Sequence, residues 1–227
     1  MSVYQITLVN THHGENGKCN VDELYRIIEE IKPEVIFEEL YLKDFNEYYI
    51  EKKQTTKLET NAILKYMENN QIEHIPVDYV EIPYPNFMDK NKALHLKLEK
   101  RSHGYCHCID YNSYLVYLYG FIYLNSNDYI KVNNIYEKEI IETIKFIGDE
   151  ALMPLNQQWL DFMNDREDVM IRKIYEYCKD HTFERGMFYI GAAHRAAIIE
   201  KTQKYNETAD IKINWKYLNY GDILKWT

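Results

Sequence analysis

The sequence contains few of the residues that break or cross-link a chain: five prolines, eight glycines and four cysteines among 227 residues. So few prolines and glycines argue against long flexible linkers. The cysteines stand at irregular positions, and the first ten residues lack the positively charged start of a secretory signal. We therefore expect reduced thiols rather than a disulfide framework, and a cytoplasmic location.

Two other absences limit the partners of the chain. The most apolar stretch, residues 114–124, is well short of the roughly 20 residues that a membrane helix needs, so we expect a buried helix there. The net charge of −9 argues against a protein that binds nucleic acid by neutralising its phosphates. We predict neither a membrane nor a nucleic acid as a partner, and the sequence allows an oligomer.

The remaining composition is that of a folded protein with a core, since hydrophobic residues make up 46% of the chain and charged residues 28%. Short β-branched segments alternate with helical periodicities, which predicts an α/β fold with a mainly parallel sheet flanked by helices. The predicted strands are 3–9, 34–37, 74–77, 187–190 and 211–218. We predict a single domain, 1–227, in which residues 87–184 form a helical insertion, or cap, between the third and fourth strands.

Ionisable residues follow each of the first four predicted strands. They are His12 and His13 after the first strand, Glu38 and Glu39 after the second, Asp78 after the third and His194 after the fourth. Ligands of parallel sheets bind beyond the carboxyl ends of the strands, so neighbouring strands would bring these groups together. Two imidazoles and a carboxylate are a common ligand set for Zn, Mn, Co or Fe, and such an ion activates water for hydrolysis. One histidine at a strand end is more often a turn residue, and only the coincidence of several strand ends favours a site.

The segment GAAH at 191–194 joins the fourth strand to a helix. Gly191 would let the backbone turn sharply and leave the path to His194 uncrowded. Close packing of the helix on the sheet explains the same small residues equally well.

A second group of soft ligands occurs at residues 103–108 (HGYCHC). These side chains could hold Zn or Cu, but their spacing matches no standard zinc finger, and no second Cys/His pair lies at a usual distance. We favour a loop that links two helices and carries reduced thiols.

Four segments occur in an order that is typical of one protein family. They are NTHH at 10–13, PEVIFEEL at 33–40, DRED at 165–168 and GAAH at 191–194. In that order they resemble the Gly-Thr-Ala-His, Pro-Asp-Val-Val-x-x-Glu-Leu, Arg-containing helix start and Gly-x-x-His elements of TraB/PrgY proteins. That family belongs with the TIKI metalloproteases and, more remotely, with the erythromycin esterase and ChaN-like proteins. The chain departs from the pattern at Asn10 and Ala193, and Lys43 stands near the place of an expected arginine.

The resemblance implies a site formed by His13, Glu39, Arg166 and His194. His13, Glu39 and His194 would bind a divalent Mn, Co or Zn ion, and Glu39 could act as a ligand or as a general base. Arg166 could hold an oxyanion or a substrate carboxylate, or it could orient Glu39; otherwise it would form a surface ion pair with Glu167 or Asp168. The expected supporting groups are His12, Glu38, Asp78 and Gly191.

These residues lead us to expect a metal-dependent hydrolase of a peptide, amide or ester bond, with a peptide or small molecule as the substrate. The alternative is a non-catalytic binding protein that uses the same cleft for a small ligand, haem or a signalling peptide. The resemblance allows this alternative, because PrgY-like proteins are associated with pheromone shutdown and ChaN-like proteins with haem. A third interpretation is an interaction protein whose cleft has lost its ligand.

Overall fold

The computed structural model describes residues 4–78 and 81–224, so residue 3 of the first predicted strand lies outside the described residues. The described residues form a five-stranded sheet in which every strand pair is parallel, with the order β3-β2-β4-β1-β5. The strands are β1 (Tyr4–Thr11), β2 (Val35–Tyr41), β3 (Glu73–Asp78), β4 (Arg185–Gly191) and β5 (Ile213–Tyr217). The predicted parallel α/β fold is confirmed, and the four strands that carry the ionisable residues are neighbours.

Helices connect the strands and cover the sheet. They are α1 (Val21–Ile31), α2 (Leu42–Phe45), α3 (Leu58–Met67), α4 (Phe87–Glu99), α5 (His103–Tyr119), α6 (Phe121–Leu124), α7 (Asn127–Ile147), α8 (Leu152–Asp180) and α9 (Arg195–Thr208). A π-helical turn (Asn46–Ile50) follows α2, and a 3-10 turn (Ala192–His194) precedes α9. In the part of the chain that the structure describes, no helix is long and apolar enough to cross a membrane.

Two predicted helix boundaries are wrong. Residues 103–108 are not a loop but the start of α5, because the Ser102 hydroxyl accepts a hydrogen bond from the Tyr105 N–H and caps the helix there. The apolar stretch 114–124 is not one helix either. It breaks at Gly120, which has a φ of 54° and lies so close to the backbone of Lys18 that a Cβ would not fit.

The sheet separates two apolar cores. On one face, side chains from α1, α3, α5 and α6 pack against Val9, Ile36 and Met187. On the other face, side chains from α8 and α9 pack against Leu8 and Phe37. A third, smaller core joins α4, α5, α7 and α8 to one another. The helices between β3 and β4 therefore take part in both layers that cover the sheet, in addition to packing against each other.

Candidate functional site

The carboxyl ends of four adjacent strands form the floor of the candidate site. Strand β2 extends to Tyr41, so Glu38 and Glu39 lie inside it rather than after it. Successive residues of a strand point to opposite faces, and these two glutamates therefore separate. The pairing of β2 with β3 is regular up to Glu38 and shifts between Glu38 and Tyr41. Such an irregularity redirects side chains, and Glu39 lies within it.

Glu39 is the centre of the site, with a side chain that is 4% exposed. Its Oε2 accepts a hydrogen bond from the Gly191 N–H at 2.6 Å, and its Oε1 accepts one from Arg166 Nη2 at 2.7 Å. The same Oε1 lies 3.5 Å from His194 Nε2. Burial alone would raise the pKa of Glu39, but His194, His13 and Arg166 hold that pKa at about 2. Glu39 is therefore a carboxylate at neutral pH.

His13 lies at the rim of the site, where its imidazole is exposed to solvent. Its Nδ1 pairs with Glu59 Oε1 at 3.1 Å, and this hydrogen bond raises the pKa of His13. The same Glu59 oxygen accepts a hydrogen bond from the Thr11 hydroxyl at 2.7 Å. A Cβ on Gly191 would lie 3.3 Å from both His13 Nε2 and Glu39 Oε2. The absence of a side chain at residue 191 thus keeps open a space that faces an imidazole nitrogen and a carboxylate oxygen.

His194 has the same arrangement inside the protein. Its Nδ1 lies 2.6 Å from Glu167 Oε1, so its Nε2 faces Glu39. Burial would lower the pKa of His194, but hydrogen bonds to Glu167 and Glu39 raise it to about 9. His194 is therefore an imidazolium at neutral pH when no cation competes for the site. Lys201 Nζ lies 3.2 Å from the second oxygen of Glu167 and helps to hold that carboxylate in place.

Arg166 joins Glu39 to Asp78. Its Nε and Nη2 donate to the two Asp78 oxygens at 3.3 and 2.7 Å, which is a bidentate contact, while Nη2 also reaches Glu39. These carboxylates outweigh the effect of burial and raise the pKa of Arg166. Its Nη1 donates to the sulfur of Met163, a weak acceptor, at 3.3 Å.

The position of Arg166 within its helix differs from the one that the family resemblance implies. Segment 165–168 lies in the middle of α8 and not at a helix start. The helix extends back to Leu152 because the side chains that precede Arg166, such as Phe162, continue the buried face of α8. Arg166 lies on that face too, so its partners are Glu39 and Asp78 and not the acidic residues beside it in the sequence.

Two expected supporting residues lie elsewhere. His12 is exposed, and its Nδ1 pairs with the carbonyl oxygen of Gly14 at 2.8 Å. Glu38 belongs to a closed cluster on the opposite face of β2. It pairs with His74 Nδ1 at 2.7 Å and accepts hydrogen bonds from the hydroxyls of Tyr49 and Tyr189 at 2.9 and 2.8 Å.

Sequence reasoning missed Glu59 and Glu167, which orient the two imidazoles. Glu59 lies in the first turn of α3, a helix that the periodicity does predict, but nothing local connects it with His13. Glu167 stands beside Arg166, where it was considered only as a surface partner of that arginine. The available signal was its position one residue after Arg166 on a helix that must pass the end of the sheet.

A cavity of about 590 Å³ opens beside His194, between the sheet and the helices that precede β4. Its lining comes from α4, α7, α8 and the start of α9, and includes His95, Tyr136, Trp159, Met163 and Glu167. A second cavity of about 430 Å³ shares Asn133, Tyr136 and Ala193 with the first and is also lined by His12. The two cavities adjoin along these shared residues and are together called the cleft, and each has the size that a small molecule needs.

The donors around Gly191 are of the kind that binds a divalent metal ion. Metal-bound imidazoles pair their second nitrogen with a carboxylate, as His13 and His194 do. Ligands of one tetrahedral ion lie about 3.4 Å apart, and the separation of 3.5 Å between His194 Nε2 and Glu39 Oε1 agrees with this value. Within residues 4–78 and 81–224, however, no group of three His, Cys, Asp or Glu side chains is arranged to hold an ion. A metal would have to share Glu39 with Arg166.

Comparisons with known proteins assign the chain to no family. The chain matches no protein-family model, no curated protein and no solved structure.

Proposed function

We propose that the chain is a hydrolase of a peptide, amide or ester bond and that His13, Glu39 and His194 hold a divalent Mn, Co or Zn ion. One observation carries the proposal. Two imidazoles, each fixed through Nδ1 by a carboxylate, converge on one buried carboxylate: His194 Nε2 lies 3.5 Å from Glu39, and His13 Nε2 faces the space at Gly191 that Glu39 also faces. His194 places this group at the edge of the cavity. A structural role alone does not require two such pairs around one space.

The roles of the residues follow from their contacts. A bound ion would lower the pKa of its water toward ~7 and polarise a carbonyl group. Glu59 and Glu167 fix the orientation and the tautomer of the two imidazoles. Arg166 positions Glu39 through Nη2. Its Nη1 is engaged, among the described residues, by the weakly accepting sulfur of Met163, so it is the donor that would stabilise negative charge on the attacked oxygen.

Glu39 acts as a ligand rather than as a general base in this proposal. A general base works best when its pKa lies near the operating pH, whereas the positive groups around Glu39 hold its pKa at about 2. A carboxylate that stays ionised at every physiological pH is better suited to bind a metal ion than to accept a proton.

The likeness to TraB/PrgY proteins supports the same proposal. The segments on which it rests supply His13, Glu39, Arg166 and His194, and these four side chains lie together. We propose membership of that family, with its site retained.

A second candidate is a binding protein without catalysis, which uses the cleft for a small ligand, haem or a signalling peptide. The contacts of Glu39 favour it, because Arg166 and the Gly191 N–H already engage both carboxylate oxygens. In this alternative, the charged groups would hold the site rigid and the cleft would do the binding.

Metal analysis and turnover separate the two candidates. Protein purified without chelator would be analysed for metal and assayed on a panel of peptides and esters with Mn, Co and Zn. We expect one ion per chain and turnover in the wild type, and loss of both in His13→Ala and His194→Ala. His107→Ala, an exposed histidine on α5, is the matched control and should change neither. Ligand binding without turnover under every metal would favour the binding protein.

A further inference from the structure

The cavity beside His194 is lined by an amide that no other protein group engages. Asn156, on α8, is 7% exposed, and among the described residues its side chain forms no hydrogen bond. Its amide nitrogen and oxygen are accessible rather than sealed off, so they face the open cavity. A ligand in the cavity can therefore form hydrogen bonds with this amide that the fold itself does not use.

The cavity wall carries more carboxylates than positively charged groups. Among the described residues that line the cavity there is no lysine or arginine, and the carboxylates are Glu137, Glu167 and Glu200. Lys201 neutralises Glu167, and Lys204 neutralises Glu200. These two pairs leave one carboxylate of the wall to be accounted for.

That carboxylate is Glu137, on α7. It accepts a hydrogen bond from Asn133 Nδ2 at 2.7 Å, and within residues 4–78 and 81–224 it forms no ion pair. Apart from His194, which is paired with Glu167 and Glu39, its neighbours in the wall do not supply positive charge. His95, which is the other imidazole of the cavity, has its pKa lowered by burial and is neutral near pH 7.

The rest of the wall is rigid and partly aromatic. The Tyr136 hydroxyl lies 3.0 Å from that of Tyr105, which in turn lies 2.7 Å from His95 Nδ1, so Tyr136 is held from behind. Trp159 stacks on Phe87 with its ring centroid at 6.0 Å. Aromatic walls beside a carboxylate favour cations through the ring quadrupole.

We propose that this cavity binds a protonated amine or amidine group of the substrate, with Glu137 as its counter-charge and Asn156 as a second hydrogen-bonding partner. The inference rests on the proposed function only in calling the ligand a substrate. It assigns the substrate class. The substrate would be a positively charged compound, or a peptide with a basic side chain, whose charged group is held next to His194 while the bond to be hydrolysed lies at Glu39.

A matched pair of probes tests the charge preference without turnover. Benzamidinium and benzamide have nearly the same shape and differ in charge and in donors. Their dissociation constants would be measured by titration of the full chain without added metal. We expect benzamidinium to bind at least about tenfold more tightly than benzamide, because hydrogen bonds to charged groups are the stronger ones.

Variants of residues in the cavity wall test where the two probes bind. Glu137→Gln should weaken benzamidinium about tenfold and leave benzamide unchanged, and Asn156→Leu should weaken both probes. Glu142→Gln is the matched control, since Glu142 lies on the same helix, outside this cavity, and pairs with Lys138. It removes the same charge and should change binding less than twofold.

The indole N–H signals give the position directly. The Trp159 signal should shift on titration with benzamidinium, whereas the signal of Trp215, which donates to Tyr175 away from the cavity, should not. Equal affinities for the two probes, equal effects of Glu137→Gln and Glu142→Gln, or a shift of Trp215 alone would overturn the proposal. These results do not depend on hydrolysis, so an inactive protein that prefers benzamidinium would refute the proposed function and leave this inference standing.

Discussion

Glu38 and Glu39 are adjacent in the sequence and both buried, with side chains 0% and 4% exposed, yet their surroundings differ in kind. Glu38 is enclosed by His74 and by two tyrosine hydroxyls, on the face of the sheet that α1 and α3 cover. Glu39 is surrounded by Arg166, His194 and His13, next to an open cleft.

The comparison shows that burial of a carboxylate does not identify a site. Aromatic side chains close the Glu38 cluster: Tyr49 and Phe45 lie against His74, with ring centroids at 4.3 and 4.8 Å. Both oxygens of Glu38 have partners there, and Glu38 lines neither of the two cavities beside His194. The Glu39 cluster concentrates charged groups around a gap that a glycine keeps open. Charged groups that converge beside a cavity, which His194 lines, are the feature that points to chemistry.

The largest expected effect is on catalytic activity, and it distinguishes Glu39 from Glu38. Glu39→Gln should lower kcat/KM by roughly 10²–10⁴, because it removes the central charge of the site. Glu38→Gln should leave kcat/KM within about threefold. The measurement is steady-state kinetics on the best substrate of the panel, with circular dichroism to verify folding. Equal losses in the two variants would remove the distinction between the clusters.

Arg166→Gln should lower the free energy of unfolding by about 3–5 kcal/mol, since it leaves Asp78 and Glu39 buried beside each other without their shared cation. Arg172→Gln, on the same helix, removes an exposed pair with Glu176 and should cost less than about 0.5 kcal/mol. Urea denaturation of both variants gives the two values. A small effect of Arg166→Gln would mean that water reaches this ion pair.

Tyr189→Phe should lower the free energy of unfolding by about 1–2 kcal/mol without changing kcat/KM, because Glu38 loses one buried donor. Tyr114→Phe, which removes an exposed hydroxyl, should stay within about 0.5 kcal/mol of the wild type. The same denaturation experiment applies. A loss of turnover in Tyr189→Phe would connect the Glu38 cluster with the site.

Asn156→Leu should change the free energy of unfolding by less than about 0.5 kcal/mol, since the amide faces the open cavity and forms no hydrogen bond with the other described residues. This residue extends the comparison to the cavity, where the protein keeps a polar group that folding does not need. Thermal and urea denaturation would measure the change. A marked loss of stability would show that the amide has a structural role.

The smallest effect concerns pH. Burial lowers the pKa of His95, against a weaker opposing effect of Glu99. Below about pH 6.5 the unfolded chain therefore takes up a proton that the folded chain resists, and stability falls as the pH decreases through that range. His95→Gln should make this fall smaller between pH 7 and pH 5, as followed by melting temperature. An unchanged pH profile would mean that His95 is solvated in the folded state.

The sheet could be predicted from the sequence because buried parallel strands are nearly continuous runs of apolar, β-branched residues. Their carboxyl ends followed from the same runs, and so did the grouping of His13, Glu39, Asp78 and His194. The helix limits were less predictable. Whether Ser102 caps a helix, and whether Gly120 breaks one, depends on neighbours that a local periodicity does not contain.

Within the site, the sequence predicts the candidate metal ligands better than it predicts the carboxylates that orient them. Glu59 lies 46 residues from His13, and Glu167 lies 27 residues from His194, so no spacing connects them. The error on Glu38 has a different cause. The second strand was predicted to end at residue 37, whereas β2 continues to Tyr41, and the alternation of side chains along it sends Glu38 to the other face.

Anomalous diffraction from crystals grown with Mn, Co or Zn tests the central claim most directly. The account predicts one strong peak per chain, within about 2.0–2.2 Å of a His13 nitrogen, a His194 nitrogen and a Glu39 oxygen, and none in crystals of His194→Ala. A peak at another place, such as the Cys106 and His107 region of α5, or no peak at all with an intact Arg166–Glu39 pair, would contradict it.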